Sequence, residues 1–312
     1  MRYFTHNMLR KIESVGIIGM GAVGAVVGEQ LHSVLGNNLY CIMDSDRKTK
    51  YSESGIYINN KKIDFNYVLP SESKICDLII IATKNLQLQE ALNNIKGFVG
   101  PDTIILSLLN GIQSERDIEA AFGNNSCLYG FIIDLQSINL SGKISCSGKG
   151  CIVFGEKINY ESDRVMAVKS LFEDCGIKYK ASEDIQLDMW KKFLINTMFN
   201  SLAAITRSTY GGFKFDCMQD ASRKIGYEVV KIANAEGIAL TTAMIEEDIA
   251  KNLSYDPKGK CSMLQDMEAG RNTENDFFCG TIVKLGKKHN IPTPYCEFLW
   301  DLLKGSELVR QI

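Results

Sequence analysis

Residues 15–24 read Val15-Gly16-Ile17-Ile18-Gly19-Met20-Gly21-Ala22-Val23-Gly24, and the way this stretch is punctuated decides the fold. A short apolar run of strand length leads straight into G-x-G-x-x-G, and residues 23–34 then carry a helical pattern. Each glycine has a physical task in such a corner. Gly19 permits the tight turn, Gly21 lets the main chain approach a pyrophosphate, and Gly24 allows the helix to pack closely on the strand. The helix start at Ala22 and Val23 presents unpaired N–H groups and the positive end of the helix dipole. A glycine-rich corner by itself is a weak signal, because steric demands alone can produce one. Here strand, loop and helix come in the required order, which favours a dinucleotide site over a plain corner.

Working outward, residues 39–43, 78–82 and 104–109 are further continuous apolar runs. Runs of this kind suit a parallel sheet buried on both faces. Helix-like stretches at 86–95 and 114–122 separate them, giving the βαβ rhythm of a Rossmann-type, doubly wound parallel sheet. Residues 55–68 break the rhythm, and Ile56, Ile58, Ile63 and Phe65 around Asn59-Asn60 predict a small hairpin inserted in that sheet. Strands at 128–133, 143–146 and 151–154, a helix at 163–175 and a strand at 177–179 complete the first domain. From Glu183 the strand signals vanish. Helices are predicted at 184–207, 221–236, 242–253, 263–269, 274–290 and 295–308, punctuated by Gly237, Asp256-Pro257, Gly270 and Pro292. The expected architecture is α/β: a dinucleotide-binding domain over 1–182, then an all-α substrate and catalytic domain over 183–312.

Composition removes several function classes. Thirty-five Lys+Arg against 37 Asp+Glu leave a net charge of -2, so no basic excess exists to neutralise nucleic acid or an anionic membrane. The apolar runs fall far short of the ~20 residues that span a bilayer. Residues 1–10 carry Arg2, His6 and Arg10 without an apolar core, so no signal peptide is expected and the cytoplasm is the expected compartment. Ten scattered cysteines include no C-x-x-C, and none of the three histidines stands in metal-site spacing to them. Reduced, structural cysteines and no metal are expected.

Four groups of polar residues carry candidate chemistry. Asp44, 20 residues after Gly24, stands where an acid accepts from the adenosine ribose hydroxyls of NAD, and a loop-capping role fits it equally. Arg47 and Lys48 nearby are cations of the kind that accommodate the 2′-phosphate of NADP. Lys84 and Asn110 follow two apolar strands, on the edge where open α/β sheets bind ligands. Lys192, Asn196 and Asn200, spaced i, i+4, i+8, drift only ~40° per step and share one side of a helix otherwise made of Phe193, Leu194, Ile195, Met198, Phe199 and Leu202. Such a stripe either faces solvent or lines a wet cleft, and the apolar surroundings favour the cleft. An ammonium there suits carbonyl reduction, because it stabilises a developing alkoxide and then delivers a proton. Ser262 with Gln265 reads locally as a capping box, and Glu274 as a carboxylate in a helix first turn.

Together these features resemble the ketopantoate reductase (2-dehydropantoate 2-reductase) family over nearly the whole chain. The resemblance rests on the Gly19–Gly24 loop, Thr83-Lys84, Asn110-Gly111, Trp190-x-Lys192-x-x-x-Asn196-x-x-x-Asn200, and Ser262-Met263-Leu264-Gln265-Asp266 with Arg271-x-Thr273-Glu274-x-Asp276. It implies NADP(H)-dependent reduction of ketopantoate to pantoate, towards pantothenate and coenzyme A. It also implies Lys192 as general acid, and Asn196, Asn200, Ser262 and Glu274 as substrate-binding residues in a cleft between the domains. Gly19, Gly21, Ala22, Val23, Gly24, Asp44, Lys84 and Asn110 are the implied cofactor side. The chain departs from the family pattern at Asp44, where an Arg is common, and at Asn275, Cys279 and Ser201. Asp44 keeps NAD(H) open as the cofactor. Rival readings are a 3-hydroxy-acid dehydrogenase on the same plan, which also uses a Lys and an Asn four residues later, and a non-catalytic dinucleotide sensor. The partner expected is a small keto acid, and the C-terminal helices are candidates to pair a second copy into a homodimer.

Overall fold

The computed structural model describes residues 10–123, 126–135, 137–140 and 142–310. Residues 1–9, which hold most of the stretch expected to lack a signal peptide, lie outside them. The chain forms two compact units that divide between Ile185 and Gln186.

The first unit opens with β1 (Val15–Ile18), α1 (Ala22–Leu35), β2 (Leu39–Ile42), α2 (Ser45–Ser54), β3 (Ile56–Ile58), β4 (Lys61–Ile63) and β5 (Asn66–Val68). It continues through β6 (Leu78–Ile81), α3 (Leu88–Asn94), β7 (Ile104–Ser107), α4 (Ser114–Phe122) and β8 (Cys127–Ile133). It closes with β9 (Ser137–Leu140), β10 (Lys143–Cys146), β11 (Cys151–Gly155), α5 (Asp163–Asp174) and β12 (Tyr179–Ala181). The eight-stranded main sheet runs β12-β11-β8-β7-β6-β1-β2-β5. All its pairs are parallel except β8 with β11. Every residue of β1, β2, β6 and β7 is buried, as expected of strands covered on both faces. The fold is thus the α/β, Rossmann-type one expected.

Two local expectations need correcting. The hairpin of β3 and β4 is not inserted in the main sheet but belongs to a second sheet of order β4-β3-β10-β9, in which β3 runs parallel to β10. Ile56 and Ile58 are buried on the same core as β1 and β2, so the apolar alternation was a true strand signal whose partner lay 80-odd residues away. The segment from Asp44 to Arg47 is not the loop that Asp44 was expected to cap. It starts α2, a helix with no buried residue and therefore no apolar stripe to betray it.

The second unit is helical: α6 (Ile185–Ile195), α7 (Ser201–Thr206), α8 (Asp216–Ala235), α9 (Thr242–Leu253), α10 (Ser262–Glu268), α11 (Cys279–His289) and α12 (Pro294–Val309). Phe193, Phe213, Phe278, Ile232, Ile245, Met263, Ile282 and Leu303 are among its fully buried side chains. In α8 the buried set includes Ser222, Ile225, Gly226, Val229, Ile232 and Ala233, the i, i+3, i+4 spacing of a one-sided amphipathic helix. No helix among the described residues is long and apolar enough to cross a membrane. All ten cysteines are unpaired and eight are buried. Among the described residues no cluster of His, Cys, Asp and Glu could hold a metal ion.

Candidate dinucleotide and substrate sites

Strand register sets the first cluster. Ile18 pairs with Ile42 on one side and Ile81 on the other, and Ile81 pairs with Ser107. The carboxyl ends of four neighbouring strands are therefore level, and β1 lies where the chain order reverses between β2 and β6. The residues just beyond these ends are Gly19–Gly24, Asp44, Thr83-Lys84 and Asn110. This is the edge at which open α/β sheets hold ligands.

The glycine loop passes a direct steric test. A Cβ on Gly24 would lie 2.0 Å from Gly19 O, and one on Gly19, at φ 97°, would lie 2.5 Å from the Ala82 carbonyl carbon. Those two glycines let helix and strands meet. A Cβ on Gly21 would meet nothing within 4 Å, so its absence serves the open space beyond the loop. Gly21 is also the residue capping α1, and it offers no side-chain cap to the helix's first N–H groups. Nearby, the Thr83 hydroxyl is buried without a partner. Open space, a helix start without a side-chain cap and an orphan hydroxyl at one strand edge fit a dinucleotide's phosphates. Thr83 enters the sequence reading only beside Lys84 in the family resemblance and is given no role there, because a threonine after a strand has no pattern of its own.

Around this loop, Asp44 caps α2: its Oδ1 accepts from the Arg47 N–H at 2.7 Å, and its Oδ2 lies 3.5 Å from Arg47 Nε. The capping role anticipated for it is therefore present. Lys84 is exposed at the start of a 3₁₀ turn (Asn85–Gln87). Asn110 is half-buried, and its carbonyl accepts from the buried Asn85 amide at 2.8 Å, which ties the β6 and β7 loops together. Behind Asn110, Ser107 Oγ accepts from Leu109 N–H at 3.3 Å and lies 2.9 Å from Ser114 Oγ, which donates to Glu115 at 3.0 Å. Glu115 is wholly buried, and desolvation pushes its carboxyl up to about 7.

The second cluster is built on α6. The expected helix over 184–207 is not continuous: Asn196–Asn200 form a π turn between α6 and α7. In an α-helix a four-residue step overshoots a full turn by ~40°, whereas the wider i→i+5 turn makes it fall short. The drift from Lys192 to Asn196 is thus reversed between Asn196 and Asn200. The Asn200 amide donates to Asn196 Oδ1 at 3.2 Å, so the two side chains meet. Asn200 is buried, and Lys192 and Asn196 are half-buried. The stripe is not an open solvent face. Gly226 on α8 makes room for the turn, since a Cβ there would lie 2.6 Å from Met198 Sδ.

Other segments of the second unit converge on this turn. Cys261 Sγ lies 3.9 Å from the Asn200 carbonyl and accepts from the Leu264 N–H at 3.5 Å. Cys261 is therefore the N-cap of α10, one residue before the Ser262 box that the sequence suggested. Gln265 donates instead to the Lys260 carbonyl. Ser262, relieved of capping, is exposed on the first turn. Glu274 is buried and stands before a 3₁₀ turn (Asn275–Phe277) rather than inside an α-helix. That turn leads to Phe278, whose ring lies 6.2 Å from that of Phe193, and to Cys279, whose thiol lies 3.4 Å from Ser201 Oγ. Lys192 thus lies in the last turn of α6, Asn196 and Asn200 in the π turn that follows it, and Ser262 and Glu274 on two segments anchored beside that turn.

Comparison with known proteins identifies the family to which the two units belong. The family model described as "Ketopantoate reductase PanE/ApbA" matches residues 15–159, and that described as "Ketopantoate reductase PanE/ApbA C terminal" matches residues 184–307. The chain is 30% identical to the 2-dehydropantoate 2-reductase of Pyrococcus horikoshii, covering 93% of this chain and 96% of that one. It is 28% identical to the 2-dehydropantoate 2-reductase of Lactococcus lactis subsp. lactis, covering 94% and 97%. Among solved structures, the complex of D-mandelate dehydrogenase with NADH superposes with a TM-score of 0.85 at 28% identity, over 95% of this chain and 99% of that one. Two domain models in order and near-complete relatives leave one assignment: the chain belongs to the ketopantoate reductase family of oxidoreductases.

Proposed function

We propose that the chain reduces a 2-keto acid to the 2-hydroxy acid with a nicotinamide dinucleotide, ketopantoate (2-dehydropantoate) to pantoate being the foremost substrate. The observation that carries this reading is the π turn, which gathers two amides on a mostly buried helix one turn beyond an ammonium. The dinucleotide, when bound, supplies the hydride that reaches the keto carbon. The chain's own residues do the rest. Gly19, Gly21 and Gly24, with the main chain of Ala22 and Val23, hold the pyrophosphate, and Lys84 and Asn110 line the same edge. Asn196 and Asn200 offer amide donors and acceptors to the keto acid, with Ser262 and Glu274 as further hydrogen-bonding groups. Lys192 donates a hydrogen bond to the keto oxygen, stabilises its growing negative charge and gives it a proton. The products are the 2-hydroxy acid and the oxidised dinucleotide, with Lys192 recovering its proton from water.

The resemblance to D-mandelate dehydrogenase supports a second reading with the same chemistry, in which the acid carries a bulkier side chain. The departures at Asn275, Cys279 and Ser201 lie on segments that pack beside the π turn, where side-chain size would be read. One experiment tests both. Purified protein is given ketopantoate, phenylglyoxylate and malonic semialdehyde in turn, and NADPH and NADH oxidation is followed in parallel by absorbance. Fastest turnover on ketopantoate supports the first reading, and fastest on phenylglyoxylate the second. Turnover on the semialdehyde alone, or on no acid, refutes both.

A further inference from the structure

The end of β2 determines how an adenosine ribose would be met. Asp44 lies two residues beyond Ile42, and its side chain is 38% exposed. A carboxylate at this place accepts from ribose hydroxyls and repels a phosphate on the same ribose. The two cations that would answer such a phosphate are engaged. Arg47 folds back on Asp44, with Nε 3.5 Å from Oδ2. Lys48 Nζ lies 2.6 Å from Glu72 Oε2, an oxygen that also accepts from the Leu69 N–H at 2.5 Å. These donors, Lys48 first, hold the Glu72 carboxyl below the usual carboxylate range, so it stays charged and keeps its lysine. Asp44, Asp46 and Glu72 against Arg47 and Lys48 leave this corner net negative.

Resting on the reading of the glycine loop as a dinucleotide site, we propose that Asp44 makes the chain select NADH over NADPH, with Arg47 and Lys48 withheld from a 2′-phosphate by their ion pairs. A 2′-phosphate brings a charge of about -2 to the side of a carboxylate. Arg47 could turn to it only by leaving Asp44 unpaired beside the new charge. A 2′-hydroxyl needs no such exchange, since it donates to the carboxylate as it stands. Ion pairs this exposed are individually modest, so the selectivity is graded rather than absolute.

Isothermal calorimetry on the full chain, with no keto acid present, reads the effect directly. NADH is expected to bind at least ~10-fold more tightly than NADPH. Asp44→Asn keeps the α2 cap, because Asn serves there as well as Asp, and removes the charge. The ratio of the two dissociation constants should then fall towards one. Glu72→Gln releases Lys48 and should tighten NADPH several-fold while leaving NADH unchanged. Equal or tighter binding of NADPH by the unaltered chain, or an Asp44→Asn ratio identical to the original, overturns the proposal. A chain that binds NADH selectively but oxidises it with no keto acid sinks the proposed reaction and leaves the selectivity standing. One that binds neither dinucleotide sinks both.

Discussion

Replacing Gly21 with alanine should separate the two jobs of the glycine loop. The new methyl would touch nothing within 4 Å, and the backbone at φ -75° and ψ -159° is open to any residue. As a helix cap alanine is worse than glycine by up to ~1 kcal/mol, offset by a stiffer unfolded chain worth about 0.4–1 kcal/mol. Net stability should move by less than about 1 kcal/mol, a melting shift under ~4 °C for a chain of this size. Binding should not be spared. The methyl would occupy the open space in front of the α1 N-terminus and hold a phosphate away from its amides. Losing one charge-assisted hydrogen bond costs about 1.5–3 kcal/mol, or ~10- to 10²-fold in the dissociation constant. Gly24→Ala is the control. Its methyl would lie 2.0 Å from a backbone oxygen that cannot swing aside, so the packing of α1 on β1 must shift, at about 1–3 kcal/mol or more. Thermal melting and calorimetry with NADH on both variants would decide. If Gly21→Ala melts as early as Gly24→Ala, or binds NADH as the original does, the division of roles is wrong.

Lys192→Ala should lower turnover by at least ~10²-fold with cofactor affinity unchanged, and steady-state kinetics with full activity would remove Lys192 from its role. Glu115 should make stability fall between pH 4.5 and about 7, because the native state keeps its proton over that window while the unfolded chain has released it. Urea unfolding at pH 5 and pH 8 should therefore differ, by a contribution of about 3 kcal/mol from this carboxyl, and Glu115→Gln should narrow the difference. A Glu115→Gln profile as steep as the original would count against it. Gly226→Ala pushes a methyl towards Met198 Sδ and through it onto the π turn. It should raise the KM for the keto acid several-fold at a stability cost of about 1–3 kcal/mol, and an unchanged KM would show that the turn tolerates the pressure.

The sequence carried much of the first unit because burial on both faces leaves a direct imprint: β1, β2, β6 and β7 are apolar without interruption. It hid what depends on distant partners or on no apolar face. The strand that receives Ile56–Ile58 is Lys143–Cys146, and no local pattern links the two. Helix α2 is polar apart from Tyr51, visible only in its Asp44 cap and the Gly55 that ends it. In the second unit the spacing of Lys192, Asn196 and Asn200 did announce a shared side. The π turn that perfects it leaves no sequence mark, since it arises from packing against Gly226 and the segments around Cys261 and Cys279. The cap of α10 was displaced by one residue because a cysteine is an uncommon cap, and the sequence rule looks for serine.

The parallel pairing of β3 with β10 bears on how the protein is made. As the chain leaves the ribosome, the Ile56–Ile63 ribbon exists long before Lys143–Cys146 has been synthesised, and a two-stranded ribbon alone is at best marginal in water. Until then the free edge of β3 stays uncovered and able to pair with the wrong strand. Assembly of this small sheet is therefore a late event, dependent on a contact of long sequence separation. A ribosome stalled before codon 143 would hold a nascent chain whose glycine turn is already complete and whose edge is still bare.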